Sequence, residues 1–194
     1  MYLFIKNTKN LTKKTFRLIV KKINLLLILS ILLFATNIYA EEKFVGFIES
    51  IKGEVFKNAD GKKIKLNEFD QVFVGNEITL NSNASVTISF LDNSILTLNN
   101  KSIVIIKEFD NLSQNQKFTL LIDRGNFTFE SGTIAKNKNG NMKINLSEME
   151  VGLNGTLVSG FNSAEEKKIS LVKDSLGKVG KLSVTVGDQT TIIT

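Results

Sequence analysis

Apolar and hydroxyl-bearing residues alternate with a period of two over residues 84–90. The apolar members share one face of the chain: Ala84, Val86, Ile88 and Phe90. The residues between them carry hydroxyl groups: Ser85, Thr87 and Ser89. This period marks a half-buried strand rather than a helix. A turn at Asp92-Asn93 follows, since Asn tolerates positive φ and Asp can cap its own backbone. Residues 95–98 then predict a second strand.

Short apolar runs of this kind recur from residue 44 to residue 193, with Gly, Asn and Asp between them. The Asp60-Gly61 pair suits a type I′ turn and predicts a further hairpin. No stretch after residue 41 keeps a helical period for more than a turn or two. The sequence therefore predicts an all-β fold, a single β-sandwich or roll of many short antiparallel strands preceded by an N-terminal signal helix. Alternate phenylalanines in these strands favour core positions over a ligand-binding surface: Phe118, Phe127 and Phe129.

Residues 1–40 have the parts of a secretory signal peptide. A basic region without acidic residues is followed by the apolar run Leu25–Ala35, of about 11 residues, and by the small residue Ala40. This run is shorter than the roughly 20 residues that span a bilayer. We therefore expect cleavage after Ala40 and a mature domain of residues 41–194 in the periplasm or outside a bacterial cell. An uncleaved signal anchor is the alternative, and it would be the domain's contact with the membrane.

The leader also accounts for the basic net charge. The full chain carries +6 and the leader holds seven positive and no negative charges, so the remainder carries −1. Phosphate binding needs a concentrated basic surface on the folded domain, and the pairs Lys62-Lys63 and Lys167-Lys168 are typical of solvated turns. We expect no nucleic-acid partner.

The composition also removes several kinds of catalytic chemistry. The chain has no His and no Cys, which excludes Ser-His and Cys-His catalysis and metal sites built on imidazole or thiolate. Carboxylate pairs of the glycosidase kind stay open, and the candidates are Asp92, Asp123, Glu130 and Glu150. Turn oxygens at Asp92-Asn93 and Asp188-Gln189 offer calcium ligands, but the EF-hand spacing is absent and backbone needs explain these residues. We predict no enzyme activity, no metal site and no cofactor.

The order of motifs resembles the FecR-like domain, the periplasmic part of ferric-citrate-type regulators that also occurs alone in exported bacterial proteins. The family pattern joins a Gly-X-X-Ile-X-Thr entry, an alternating strand, a Phe-X-Asp-Gly-Ser turn and a Leu-X-Leu strand, which here span residues 75–98. Residues 46–55 look like its opening strands, and residues 121–127 look like its Gly-containing hairpin. Residues 151–156 are similar to its Val-X-Val-Arg-Gly-Thr signature, and residues 186–191 to a closing turn.

The resemblance singles out five residues as weak binding candidates: Asp92, Asn93, Asn154, Gly155 and Thr156. Asn154 stands where the family usually has Arg, so a role for that cation is not carried over. Asn93 replaces the usual Gly, which the turn tolerates. Full regulators of this family carry a helical cytoplasmic anti-sigma segment, typically with Trp. Here the basic region before the apolar run ends at residue 22, which is too short for a folded sigma-binding module, and Trp is absent, so the chain resembles a stand-alone exported domain.

The predicted function is therefore a non-enzymatic binding or scaffold module of the bacterial envelope. Strand edges and loops are the surfaces by which such domains commonly recognise partners. The expected partner is another envelope or surface protein, or a polysaccharide. Two alternatives remain open: a membrane-anchored sensor of an envelope state, and a hydrolase that uses carboxylates alone.

Overall fold

The computed structural model describes Leu18 and residues 20–24, 42–59, 61–174 and 177–194. The chain forms two compact units, residues 1–41 and 42–194. In the first unit Leu18 and residues 20–24 are helical, while the apolar run Leu25–Ala35 and the expected cleavage site at Ala40 lie outside the described residues. No helix in the described part of the chain is long and apolar enough to cross a membrane.

Among its described residues, the second unit has fourteen strands and one short helix, Thr133–Lys136. The strands are β1 (Phe44–Lys52), β2 (Val55–Ala59), β3 (Lys62–Lys65), β4 (Gln71–Phe73), β5 (Glu77–Leu80), β6 (Ser85–Phe90), β7 (Ile95–Asp110), β8 (Lys117–Glu130), β9 (Asn141–Leu146), β10 (Met149–Asn154), β11 (Leu157–Asn162), β12 (Lys167–Val172), β13 (Lys181–Val186) and β14 (Gln189–Ile193). The all-β prediction is confirmed, and so is the hairpin at residues 55–65.

The strands form two layers that share β7 and β8. The front layer has the order β4-β1-β6-β7-β8-β11-β12, in which β7 contributes residues 95–99 and β8 residues 125–130. The back layer has the order β3-β2-β5-β7-β8-β9-β10-β13-β14, in which β7 contributes residues from 103 onward and β8 residues 117–124. All strand pairs are antiparallel except β8 with β9.

A bend in the middle of β7 and β8 lets them pass from one layer to the other. The β7–β8 register is interrupted between Asn99 and Ile103, where Asn100 and Lys101 have φ values of 37° and 52°. Opposite them Gly125 has φ 106°, and a Cβ there would lie 2.5 Å from Ser102 Cα. Only glycine fits a backbone this close with positive φ, so the bend depends on it.

Side chains from both layers meet in one apolar core. The Phe118 ring on the back-layer part of β8 lies with its centroid 4.7 Å from that of Phe90 and 5.8 Å from that of Phe129, both on the front layer. Edge-to-face pairs of this kind add about 0.5–1.5 kcal/mol each beyond the area they bury. Phe118, Phe127 and Phe129 are all fully buried, which confirms the core positions predicted for them.

Two features differ from a set of short antiparallel strands. β7 and β8 have 16 and 14 residues, because the polar residues at their bend interrupt the apolar pattern without ending the strand. β9 runs parallel to β8 because residues 131–140, which include the short helix, carry the chain back along the sheet before β9 begins.

Candidate functional site

The turn between β6 and β7 holds the first two candidate residues. Asp92 is 1% exposed, and its carboxylate accepts hydrogen bonds from the Ser94 backbone N–H at 3.1 Å and the Ser94 hydroxyl at 2.8 Å. Asn93 has φ 64° and donates its N–H to the Phe90 carbonyl at 2.9 Å. The left-handed conformation explains why Asn or Gly is needed at this position. Both Asp92 carboxylate oxygens are engaged inside the fold.

This turn is fastened to the segment that follows β8. The Asp92 carbonyl accepts the Thr133 N–H at 2.7 Å, and the Ser94 hydroxyl oxygen accepts the Gly132 N–H at 2.9 Å. A Cβ on Gly132 would lie 2.6 Å from the Ser94 nitrogen and closer still to the Asp92 carbonyl oxygen. The two backbones therefore touch, and the contact requires glycine at residue 132.

The turn between β10 and β11 holds the other three candidates and reaches the same segment. Asn154 and Gly155 are exposed, and Gly155 has φ 62°. Thr156 is 5% exposed; its N–H donates to the Ser131 hydroxyl oxygen at 2.7 Å, and its carbonyl accepts the Ser131 N–H at 3.0 Å. The reciprocal pair satisfies backbone groups that would otherwise be buried without partners.

Residues 131–133, which we call the junction segment, thus bind both turns. The structure brings Asp92 and Thr156 to this segment, because the Asp92 carbonyl accepts the Thr133 N–H and Thr156 exchanges hydrogen bonds with Ser131. Asn93 lies in the same turn as Asp92, but its N–H donates to the Phe90 carbonyl and not to the junction segment. Asn154 stands apart from this network, because it lies at the end of β10 opposite Lys181 of β13. The distant motifs therefore meet at one place in the fold.

A cleft of about 280 Å³ opens beside the junction segment, and we call it the junction cleft. Ser131 and Thr156 form its buried polar floor, and Gly155 lies on one side. Its walls carry acidic, basic and apolar side chains from three parts of the chain: Glu130, Lys136, Leu157, Asp174, Lys178 and Val179. Val179 is 46% exposed. This mixture suits a partner with charges of both signs and an apolar contact.

Sequence reasoning missed several residues of this site: Ser131, Gly132, Lys136 and Lys178. The pair Ser131-Gly132 directly after an apolar strand was the available signal, because small residues there permit a close approach of another backbone. Lys136 and Lys178 carried no such signal, since solvent-exposed lysines are common throughout the sequence.

The four carboxylates considered for hydrolysis occupy different surroundings. Asp92 is buried and hydrogen-bonded to Ser94, and Glu150 is paired with Lys143 at 2.8 Å. Asp123 and Glu130 are seven residues apart on β8, which corresponds to roughly 20 Å along a strand. Glycosidase carboxyl groups lie about 5–9.5 Å apart, so Asp123 and Glu130 do not form such a pair. Among the described residues, no group of three or more His, Cys, Asp or Glu is placed to hold a metal ion.

Comparison with known proteins identifies the family of this chain. Two crystal structures of a proposed anti-sigma factor from Parabacteroides distasonis, at 2.50 and 1.65 Å resolution, are similar with TM-scores of 0.48 and 0.46 and 13% identity. Each match covers 60% of this chain and spans 50% of the solved chain. No curated protein sequence matched. The family model described as FecR protein matches residues 76–191, from just before β5 to within β14. That match covers more than half of the sequence, and the chain belongs to the FecR protein family.

Proposed function

We propose that this chain is an exported, non-enzymatic binding module of the bacterial envelope that holds another envelope or surface protein at the junction cleft. One observation carries the proposal: two motifs about sixty residues apart in the sequence are both fixed to the junction segment, beside an open cleft. An arrangement that fastens surface turns to a rigid sheet is typical of recognition sites.

The lining of the cleft supports a protein partner over a small metabolite. Its floor offers the polar groups of Ser131 and Thr156, while its walls carry both charge signs together with the exposed Val179. A small-molecule pocket is usually apolar, enclosed and equipped with few polar groups. Protein interfaces combine apolar contacts with polar and charged groups, and the cleft offers Leu157 and Val179 beside charges of both signs.

Site-specific photo-cross-linking of the full chain tests the proposal. A photoreactive residue at Val179 in the cleft is compared with one at Ile64 on β3, which has a similar exposure of 44%. We expect a defined adduct with one envelope protein from position 179 and none from position 64, after irradiation in cells and mass spectrometry. Equal adducts at both positions, or no adduct at position 179, would contradict a partner at this cleft.

A membrane-anchored sensor is the second candidate, favoured by the apolar run Leu25–Ala35 and the helical residues before it. In that case the leader stays attached and the β-domain senses an envelope state or a receptor domain. Measurement of the N-terminal mass separates the two. A protein that begins at Glu41 is exported and released, whereas an intact leader supports the anchored sensor.

A further inference from the structure

The outer face of the front layer carries a straight line of hydroxyl groups across six neighbouring strands. Strand register places the following residues opposite one another in succession, from β1 through β6, β7, β8 and β11 to β12: Ser50, Thr87, Thr97, Thr128, Ser159 and Ser170. We call this line the hydroxyl rank. Directly opposed residues project from the same side of a sheet. With strands about 4.8 Å apart, the rank is roughly 24 Å long.

These hydroxyl groups face outward and have few partners within the protein. The residues that alternate with them are buried, as Val86, Ile88 and Leu96 show. Thr87 and Thr97 share one long contact of 3.4 Å between their Oγ1 atoms. In the described part of the chain, no other side-chain hydrogen bond engages a hydroxyl of the rank. Donors and acceptors at regular spacing therefore remain available to a ligand.

The neighbouring row on the same face adds amide, aromatic and basic side chains. The same strand pairs place these residues side by side: Lys52, Ser85, Asn99, Asn126, Phe161 and Lys168. We call this line the amide rank. Asn side chains donate and accept hydrogen bonds, and the Phe161 ring offers an apolar surface.

A basic groove borders the amide rank where β7 and β8 bend. It has a volume of about 740 Å³ and contains Lys101, Arg124 and Lys167, with Asp123 and Glu148 as its acidic members. No ion pair in the described ranges neutralises any of the three cations. Arg124 is the one arginine after residue 40. Lys101 has φ 52°, a conformation that a residue other than Gly or Asn seldom adopts outside functional sites or turns.

We propose that the two ranks of the front face, together with the basic groove at the end where the two layers separate, bind an acidic polysaccharide whose carboxylates recur along the chain. Regular hydroxyl and amide groups match the hydroxyl groups of sugars, and one pyranose unit has a length close to the spacing between strands. The planar guanidinium of Arg124 suits a carboxylate held by two hydrogen bonds, and the lysines add charge attraction. A bound peptide strand would instead pair with a sheet edge or use apolar pockets, and the two ranks cross the centre of the face. This surface shares no residue with the junction cleft, whose Glu130 and Leu157 lie in the next row of the sheet, and the inference goes beyond the proposed function.

Binding of defined polymers to the full chain tests this inference. Polygalacturonate, alginate and hyaluronate serve as acidic probes and dextran as the neutral one, with affinity measured by calorimetry. We expect the acidic probes to bind, dextran to bind at least about tenfold more weakly, and rising salt to weaken the acidic complexes. No acidic probe binding, or equal binding of dextran, overturns the proposal.

Two pairs of variants locate the site. Arg124→Gln with Lys167→Gln should weaken acidic-probe binding about tenfold, whereas Lys62→Gln with Lys138→Gln, which removes the same charge elsewhere, should leave it unchanged.

Thr97→Val with Thr128→Val tests the hydroxyl rank, because it removes two hydroxyl groups and keeps the side-chain shape. It should weaken binding about three- to tenfold, whereas Thr119→Val on the back layer, the control, should not. Circular dichroism checks that every variant is folded. Equal losses of affinity in the variants and in their controls overturn the assignment. Absence of the cross-link at residue 179, with polymer binding intact, would count against the partner at the junction cleft and not against this inference.

Discussion

Gly132, in the middle of the junction segment, lies against the β6–β7 turn, and this close contact is possible because glycine has no side chain. Its backbone touches the Asp92-Asn93-Ser94 turn, donates a hydrogen bond to the Ser94 hydroxyl oxygen and precedes Thr133, which binds the Asp92 carbonyl. An added methyl group has no space unless the β6–β7 turn moves away. Interiors are packed closely enough that such a shift is costly.

Gly132→Ala should therefore lower the free energy of unfolding by about 2 kcal/mol or more. Gly61→Ala is the control, because Gly61 has φ 73° but open space around it, so its change should cost about 1 kcal/mol from conformation alone. Urea denaturation followed by circular dichroism measures both. A Gly132→Ala variant as stable as Gly61→Ala would show that the turn can move freely.

Asp110 at the end of β7 provides a pH-dependent contribution to stability. Its Oδ1 accepts the N–H groups of Leu112 at 3.1 Å and Ser113 at 3.2 Å, and Lys43 Nζ lies 3.8 Å away. These groups, with the Leu112 hydrogen bond first, hold the pKa of Asp110 below its usual value of 3.8. A lowered folded-state pKa means that the stabilisation is complete above that usual value and is lost as the pH falls below it.

Asp110→Ala should consequently reduce stability near pH 7, and the difference from the natural protein should shrink as the pH falls below about 3.8. Urea midpoints measured across this acid range give the comparison. Asn111→Ala, a neutral change in the same loop, should have an effect that does not vary with pH. A constant difference for Asp110→Ala would assign the loss to packing instead of charge.

At the scale of elements, β8 changes partners midway along its length. Its first part pairs with β9 and its last part with β11, which leaves the carbonyls of Ile122 and Asp123 between the two ladders. The buried side chain of Asn162 fills this gap, since its Nδ2 donates to both carbonyls at 2.7 Å. One amide group thus closes the place where the two layers separate.

Replacement of Asn162 should be costly for that reason. Asn162→Leu leaves two carbonyls without partners and should cost about 1–3 kcal/mol, and Asn162→Asp should cost more because a carboxylate would face them. Asn115→Leu, on an exposed loop, is the matched control and should change stability by less than about 0.5 kcal/mol. Thermal unfolding followed by circular dichroism is the measurement. Stability of Asn162→Leu equal to the control would mean that water satisfies these carbonyls.

Local pattern predicted the strands well and their partners poorly. The alternation at residues 84–90 and the turn at Asp92-Asn93 were readable because a period of two and a left-handed Asn leave a local record. The sequence could not predict that β7 continues through Asn100 and Lys101, because polar residues at a bend within a strand look the same as polar residues in a turn between two strands. The junction segment was also missed, since Ser131 and Gly132 act through residues far away along the chain. The sequence therefore identified the β6–β7 and β10–β11 turns but not the junction segment to which both are hydrogen-bonded.

For the whole molecule, the aromatic composition gives a direct test of export. The sequence has no Trp, and its two Tyr residues are Tyr2 and Tyr39, both within the expected leader. A protein cleaved after Ala40 should therefore lose nearly all absorbance at 280 nm while keeping that of phenylalanine. Ultraviolet spectra of the exported protein, with its N-terminal mass as control, measure this. Retained tyrosine absorbance would indicate an uncleaved anchor.

The hairpin of β7 and β8 has a consequence for the order of folding. Its loop is six residues long, so the contacts between its two strands are local and can form early. Because both strands belong to both layers, the hairpin offers edges to which the other strands of each layer can pair. Short loops close with little entropic cost, whereas β1 must pair with β6, which lies much farther along the chain. Leu120→Ala in the hairpin should slow folding, whereas Leu153→Ala on β10 should mainly speed unfolding, as stopped-flow circular dichroism can show. Both layers would then form by addition of strands to the same β7–β8 nucleus, and the folding of one layer would not depend on completion of the other.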